Sequence, residues 1–192
     1  MEWPDGRQRC SWANPRNERY IRYHDEEWGV PVHDDHKLFE MLVLECFQAG
    51  LSWECVLNKR DAFLKAFDGF DAEKISCYTD EKVAELMSTQ GIIRNRLKIQ
   101  AAVCNAKAFL DIQKEYGTFS KYLWQWTDGK VLHETGRTKS ELSDKISADL
   151  KKRGMKYTGS IAVYAYLQAV GVISSHDKAC FKSSAVQSSA AF

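Results

Sequence analysis

Glu45 is the residue in this chain whose type and setting point most directly to chemistry. Leu38, Met41, Leu42, Gln48 and Ala49 share its helical stripe, which draws the carboxylate toward the interior, where an unpaired charge is expensive. Two readings are open: a buried ion pair with an Arg or Lys, or a carboxylate held in a pocket for a ligand that donates hydrogen bonds or carries positive charge. Trp3, Trp12, Tyr20, Tyr23, Trp28 and Trp53 all fall within the first 53 residues. Such aromatic density builds cores, and it also builds pockets that stack flat, electron-poor rings.

Two further patterns carry chemistry. His176 and Cys180 stand at i and i+4, close enough to share one ion on a helical turn, and Cys10 with His24 would complete a tetrahedral Cys2His2 set for zinc. The distance between the two halves is not that of a standard zinc finger, so a buried cysteine beside a surface histidine is the competing reading for each. Gly154-Met155-Lys156-Tyr157-Thr158-Gly159 joins two helical stretches. It is either an ordinary helical hairpin or a helix–hairpin–helix turn whose backbone approaches a phosphate, the next helix offering free N–H groups.

The elements that must position these groups are helical. The chain has 192 residues, 44% hydrophobic and 28% charged, enough for a buried core in one domain. Its three prolines all lie by Pro31, which excludes collagen-like, mucin-like and largely disordered chains. Asp34 to Phe67 reads as two helices, the first apolar almost all round and therefore central, with a break at Gln48–Trp53. Thr79-Asp80-Glu81 opens a short helix. A long helix is expected from Ile93 to Tyr116, with Leu97, Ala101, Cys104 and Ala108 on one face. Thr138-Lys139-Ser140-Glu141 fits a capping box for a helix that stops at Gly154. Gly159-Ser160 starts an uncharged helix. Strand-like alternation is nearly absent, so the class is all-α. Residues 1–182 are expected to form one domain of two intertwined helical lobes, followed by a loose Ser/Ala-rich tail over 183–192.

Twenty-seven basic against 26 acidic residues leave a net charge of +1, which names no partner. Basic residues nevertheless cluster without acids at Arg94, Arg96, Lys98 and Lys107, and again at Lys151, Lys152, Arg153 and Lys156. The N-terminus has no apolar signal region, and the uncharged stretch from Thr158 to Ser175 reads as a core helix and not a membrane span. Six scattered cysteines suit a reducing, cytoplasmic compartment.

The motifs in order resemble a known family. Cys10-Ser11-Trp12, the run Tyr20–Pro31, Leu38-Phe39-Glu40, Leu44-Glu45, the run Gln48–Trp53, Gly91–Arg96, Leu150–Gly154 and His176 with Cys180 are together similar to bacterial DNA-3-methyladenine glycosylase I of the constitutive type. The resemblance runs from Cys10 to Cys180. It implies a helix–hairpin–helix glycosylase fold whose termini are joined by one structural zinc on Cys10, His24, His176 and Cys180. It also implies a monomer acting on double-stranded DNA that contains alkylated bases, located in the bacterial cytoplasm with the nucleoid. By the same resemblance Glu45, Tyr20, Tyr23 and Trp53 hold the base, with Trp12 and Trp28 lining the pocket. Gly50 and Leu51 fill the gap left by a flipped nucleotide, and Gly154, Lys156 and Gly159 hold the phosphate backbone, helped by Lys151, Lys152 and Arg153. The activity implied is hydrolytic, monofunctional excision of 3-methyladenine in base excision repair. The alternative is a zinc-pinned module that binds damaged DNA without catalysis. The chain departs from the family pattern at Ser11, at Cys46-Phe47 beside the pocket glutamate, where the bulk of Phe47 is expected to affect base range, and at Ser174-Ser175. Asp177 is not counted in the site.

Overall fold

Fourteen residues, Asp35–Gln48, form a helix that is buried at every position from Leu38 through Phe47, and the other elements are arranged around it. The structure is a computed structural model that describes Trp3 and residues 5–183, so most of the expected tail lies outside the described residues. In chain order, α1 (Glu18–Arg22) runs directly into a π-helical turn (Tyr23–Glu27), followed by the central α2 (Asp35–Gln48). Next come α3 (Trp53–Leu57), α4 (Arg60–Ala66), α5 (Ala72–Ser76), α6 (Asp80–Ser88), α7 (Arg96–Tyr116) and α8 (Phe119–Trp124). The chain continues through β1 (Leu132–His133), α9 (Glu141–Lys152), α10 (Ser160–Ala169) and β2 (Ile173–Ser174).

The fold is mostly helical, with one addition: β1 and β2 pair in parallel, two residues each, too short to leave an alternating pattern in the sequence. The region read as two helices holds three, because α3 ends on Asn58 and α4 begins at Arg60. The long helix starts at Arg96, not Ile93, since the Asn95 side chain accepts from Lys98 N and caps it there. Its expected face is split: Ala101 and Ala108 are buried, whereas Leu97 and Cys104 are exposed. The capping box lies two residues later than expected. Ser140 caps α9 and exchanges hydrogen bonds with Ser143, leaving Thr138 outside.

Two side chains tie the outer helices to α2. The Asp35 carboxylate accepts from the amides of Phe119 and Ser120 at 2.7 and 2.8 Å and from Gln113 Nε2 at 2.6 Å, so it caps α8 and fixes α7 together. Lys98, read in sequence as part of a basic patch, points inward. Its Nζ donates to the carbonyls of Phe47 at 2.8 Å and Ala49 at 2.6 Å, satisfying the C-terminus of α2 where orphan carbonyls need a cation. Phe47 is also corrected: it is fully buried against Phe63 and Phe67, with ring centroids 4.7 and 5.7 Å away, and fills the core instead of the pocket.

Gly171, just before β2, lets the chain cross itself. Its φ is +74°, and a Cβ placed there would meet Val30 C at 2.3 Å and Pro31 N at 2.4 Å. The same approach permits Gly29 N to donate to Gln168 O and Val32 N to Val170 O, which bring the segment after Trp28 against the end of α10. Gly171→Ala is therefore expected to cost on the order of 3 kcal/mol or more, from both strain and overlap with backbone that cannot rotate away. Urea denaturation would show it as a lowered midpoint at unchanged slope.

Candidate active site and metal cluster

A cavity of about 300 Å³ opens between the N-terminal helices, α2, α3 and the end of α10. Its walls include Trp12, Tyr20, Tyr23, Trp28, Glu45 and Trp53, so the structure brings together all six residues that the sequence assigned to base binding. Local folding explains the gathering. Asn17 caps α1 by accepting from the amides of Arg19 and Tyr20. The π-helical turn that follows inserts an extra residue per turn, so that Tyr23 and His24, adjacent in sequence, are both buried. Ser52 caps α3 and starts it at Trp53. The rings then interlock: Trp12 stands edge-on to Trp28 at 4.7 Å and tilts over Tyr20 at 5.4 Å, while Tyr23 meets Trp53 at 5.1 Å.

Glu45 lies against this aromatic enclosure, 5% exposed, and its Oε2 has no hydrogen-bond partner among the described residues. Trp53 Nε1 is likewise buried without a partner. No Lys, Arg or His forms an ion pair with Glu45 among the described residues, which removes the structural ion-pair reading. The neighbouring acids behave differently. Arg60 bonds Glu40 at 2.7 Å and Glu27 at 2.9 Å, and it holds both carboxyls below their ordinary range despite burial. Burial alone acts on Glu45 and pushes it up to about 8. Burial raises both tyrosine hydroxyls as well, so Tyr20 and Tyr23 remain neutral donors.

Beside the cavity, Cys10, His24, His176 and Cys180 are all buried, and their ligand atoms lie within 4.8 Å of one another. Cys10 Sγ is 3.4 Å from His176 Nδ1, and Cys180 Sγ is 3.4 Å from His24 Nε2 and 3.6 Å from His176 Nδ1. A tetrahedral ion with ordinary zinc–sulfur and zinc–nitrogen bonds spaces its S and N ligands by about 3.6 Å. His24 Nδ1 is 2.7 Å from Asp25 Oδ1, which in turn is held by Arg9, and this fixes the tautomer that leaves Nε2 free to ligate. Burial pushes His176 down to about 4 and the Cys10 thiol above its usual range. The histidine is thus in its ligating form, and the thiol would need a cation beside it to ionise. The cluster supports the pocket directly, since the Trp28 ring stands edge-on to His176 at 4.7 Å.

The expected DNA-facing residues lie on exposed turns. Gly50 has φ +78° with open space where a Cβ would be, and Leu51 is 41% exposed. Gly154 and Gly159 bracket the turn between α9 and α10, and no side chain caps α10, so its first amides stay free. Lys156 has an exposed side chain, while Asn105 grips its backbone on both sides, accepting from its N–H at 2.7 Å and donating to its carbonyl at 3.0 Å. Arg153 is a correction. It is bound to Asp149 and Glu115 over the Tyr116 and Tyr122 rings, and so is not free for a phosphate. Gly136, Arg137, Ala165 and Gln168, which the sequence reading missed, complete the cavity lining with Gln48, with Ser175, noted there only as a departure from the family pattern, and with Asp177, which that reading left out of the site. Only Gln168, the single amide in an otherwise apolar helix, left a signal that could have been followed.

These features define a helical protein with a cavity between aromatic walls and above a buried carboxyl, surroundings suited to a flat, electron-poor ring. The methyladenine glycosylase family model matches residues 12–183. DNA-3-methyladenine glycosylase 1 of Escherichia coli (strain K12) is 40% identical over 179 residues, covering 90% of this chain and 95% of that protein. The corresponding Haemophilus influenzae protein is 40% identical over 178 residues, covering 90% and 96%. A crystal structure of 3-methyladenine DNA glycosylase I superposes with a TM-score of 0.87 at 40% identity, over 91% of this chain and 98% of that one. The Staphylococcus aureus enzyme, solved to explain 3-methyladenine recognition, superposes with a TM-score of 0.87 at 35% identity, over 90% and 95%. The chain belongs to the methyladenine glycosylase family.

The unpaired carboxylate has a measurable signature. Glu45 titrates near 8 in the fold and near 4.5 when unfolded. The folded state therefore holds the proton more tightly, and this stabilisation is complete below the unfolded value and lost as pH rises through about 8. Glu45→Gln lacks that term. Between about pH 5 and about pH 9 the wild type is expected to lose stability relative to the variant by on the order of 4 kcal/mol. Paired urea titrations across that range would show the two curves converging or crossing; parallel curves would contradict the assignment.

Proposed function

We propose that this protein is a monofunctional DNA glycosylase of base excision repair that flips 3-methyladenine out of alkylated double-stranded DNA and hydrolyses its glycosidic bond. The observation that carries this reading is the buried, unpartnered Glu45 beneath aromatic walls. Adenine alkylated at N3 is cationic while attached to the sugar. Its charge offsets the cost of ionising Glu45, and its exocyclic amine donates to the carboxylate. Unmodified adenine brings no such charge and is left in the stack, where flipping costs a few kcal/mol. Tyr20 and Tyr23 supply polar edges; Trp12, Trp28 and Trp53 cover the ring faces. The C1′–N9 bond breaks with its electron pair going to the base, which leaves as neutral 3-methyladenine. Water adds at C1′ and gives up its proton to solvent. Among the described residues no lysine lines the cavity, which favours hydrolysis over Schiff-base chemistry.

On the DNA side, the turn Gly154–Gly159 acts as a helix–hairpin–helix element, with the free amides of α10 and the side chains of Lys151, Lys152 and Lys156 on phosphates. Gly50 and Leu51 enter the gap left by the flipped nucleotide. Cys10, His24, His176 and Cys180 hold one structural zinc. Four protein ligands close its coordination, so its contribution is to join the two ends of the chain and not to activate water. Residues up to 182 then act as one monomeric catalytic domain. None of the six cysteines is in a disulfide, Cys10 and Cys180 serving the zinc, and this fits a cytoplasmic site of action on DNA. No helix among the described residues is long and apolar enough to cross a membrane.

Chromatography of bases released from methylated DNA tests the reading. The wild type is expected to release 3-methyladenine and leave 7-methylguanine in place, and Glu45→Gln to lose most turnover while staying folded. A folded wild type that binds DNA yet releases no base would leave the damage-binding module as the answer. Metal analysis is expected to find about one zinc per chain, and Cys10→Ser to lower the thermal midpoint by roughly 10 °C. An unchanged midpoint would remove zinc from the account.

A further inference from the structure

Among the described residues lining the base cavity, Arg137 carries the only positive charge. Its side chain is exposed, and it makes no hydrogen bond or ion pair with any described residue. A cation against the ring would oppose a cationic base, and the acids on the wall, Glu45 and Asp177, already supply the charge that the ring needs. Arg137 therefore has a different object. Glu45 is buried and Arg137 is exposed on the same cavity, so Arg137 belongs to its solvent side, from which the deoxyribose of a flipped nucleotide must enter with a phosphate on each side.

The loop carrying Arg137 is fixed at its root. Leu132 N donates to Val172 O at 2.9 Å, Glu134 N to Ser174 O at 3.1 Å, and Ser175 Oγ to Glu134 O at 2.5 Å. The β1–β2 pair thus ties this loop to the segment that supplies Ser175 and Asp177 to the same cavity. We propose that Arg137 is a substrate-positioning residue whose guanidinium grips a backbone phosphate beside the flipped nucleotide, anchoring the sugar over the cavity while the base sits on Glu45. The proposal rests on the glycosylase reading. A planar, permanently charged fork suits a phosphate, and an exposed arginine without an internal partner pays little to reach one.

The test uses the full chain, with Arg137→Ala and Arg137→Lys beside the wild type. Two probes separate the roles: a duplex carrying a tetrahydrofuran abasic site, titrated at several salt concentrations, and free 3-methyladenine followed by tryptophan fluorescence. Arg137→Ala is expected to weaken duplex binding about tenfold and to reduce the salt slope by about one. Arg137→Lys recovers part of the affinity, and both variants bind the free base as the wild type does. In base release, KM rises more than kcat falls. Unchanged duplex affinity and salt slope would overturn the proposal. An equal loss of free-base affinity would also overturn it, because Arg137 would then act on the base itself and not on a phosphate. A wild type that released no 3-methyladenine would sink the glycosylase reading itself, a result distinct from an active wild type indifferent to Arg137.

Discussion

A carboxylate without a partner is among the most expensive groups a protein interior can hold, and the placement of Glu45 is the constraint on which the rest of this structure depends. Leaving it solvated would remove the cost and also the selectivity proposed for it, since in water the attraction of a carboxylate for a cationic ring over a neutral one is largely screened. Keeping it out of bulk water requires enclosing walls, and the rings of Trp12, Tyr23, Trp28 and Trp53 provide them. It also requires a helix that does not shift when the group ionises. Burial from Leu38 through Phe47 on the helix carrying Glu45, with Lys98 holding the carbonyls at its end, meets that requirement.

The enclosure is stiff on one side because it leans on the Cys/His cluster. Trp12 and Trp28 belong to both, touching His24 and His176 on one face and bounding the cavity on the other. On the opposite side, α2 links the pocket to the turn between α9 and α10. Cys46 follows Glu45 directly, and its Sγ lies 3.6 Å from the Lys156 carbonyl, which Asn105 also binds. The surface proposed to meet the DNA backbone and the group proposed to read the base are thus one residue apart along a rigid helix.

Much of this was legible in the chain because it is written locally. A lone Glu on an apolar stripe, His176 and Cys180 one turn apart, and two glycines bracketing a six-residue turn need only short-range periodicity to be noticed. The misread residues depend on long-range geometry. Lys98 looks like surface charge until the end of α2 is placed beside it. Arg153 looks free until Glu115 and Asp149 converge on it, and Phe47 looks like a pocket residue until Phe63 and Phe67 surround it. Arg137 and Asp177 reach the cavity only through the β1–β2 pair, whose two-residue strands leave no pattern to read. The shift of the capping box to Ser140 and Ser143 reflects two serines competing with an equally plausible Thr138.

The meeting of distant segments also dictates an order of assembly. His24 and Cys180 are 156 residues apart, Phe181 N bonds Gln8 O, and Ser11 N bonds the Asp177 carboxylate at 2.7 Å. A chain emerging from the ribosome therefore carries Glu45 and its tryptophans long before the stretch that braces them exists. Until residues 173–181 arrive, Trp28 has no His176 to rest on and the cavity lacks the wall formed by Ser175 and Asp177. The cavity is therefore completed only once residues 173–181 have been made, so a chain cut short upstream of that stretch carries Glu45 and its tryptophans without the wall that closes the space around them.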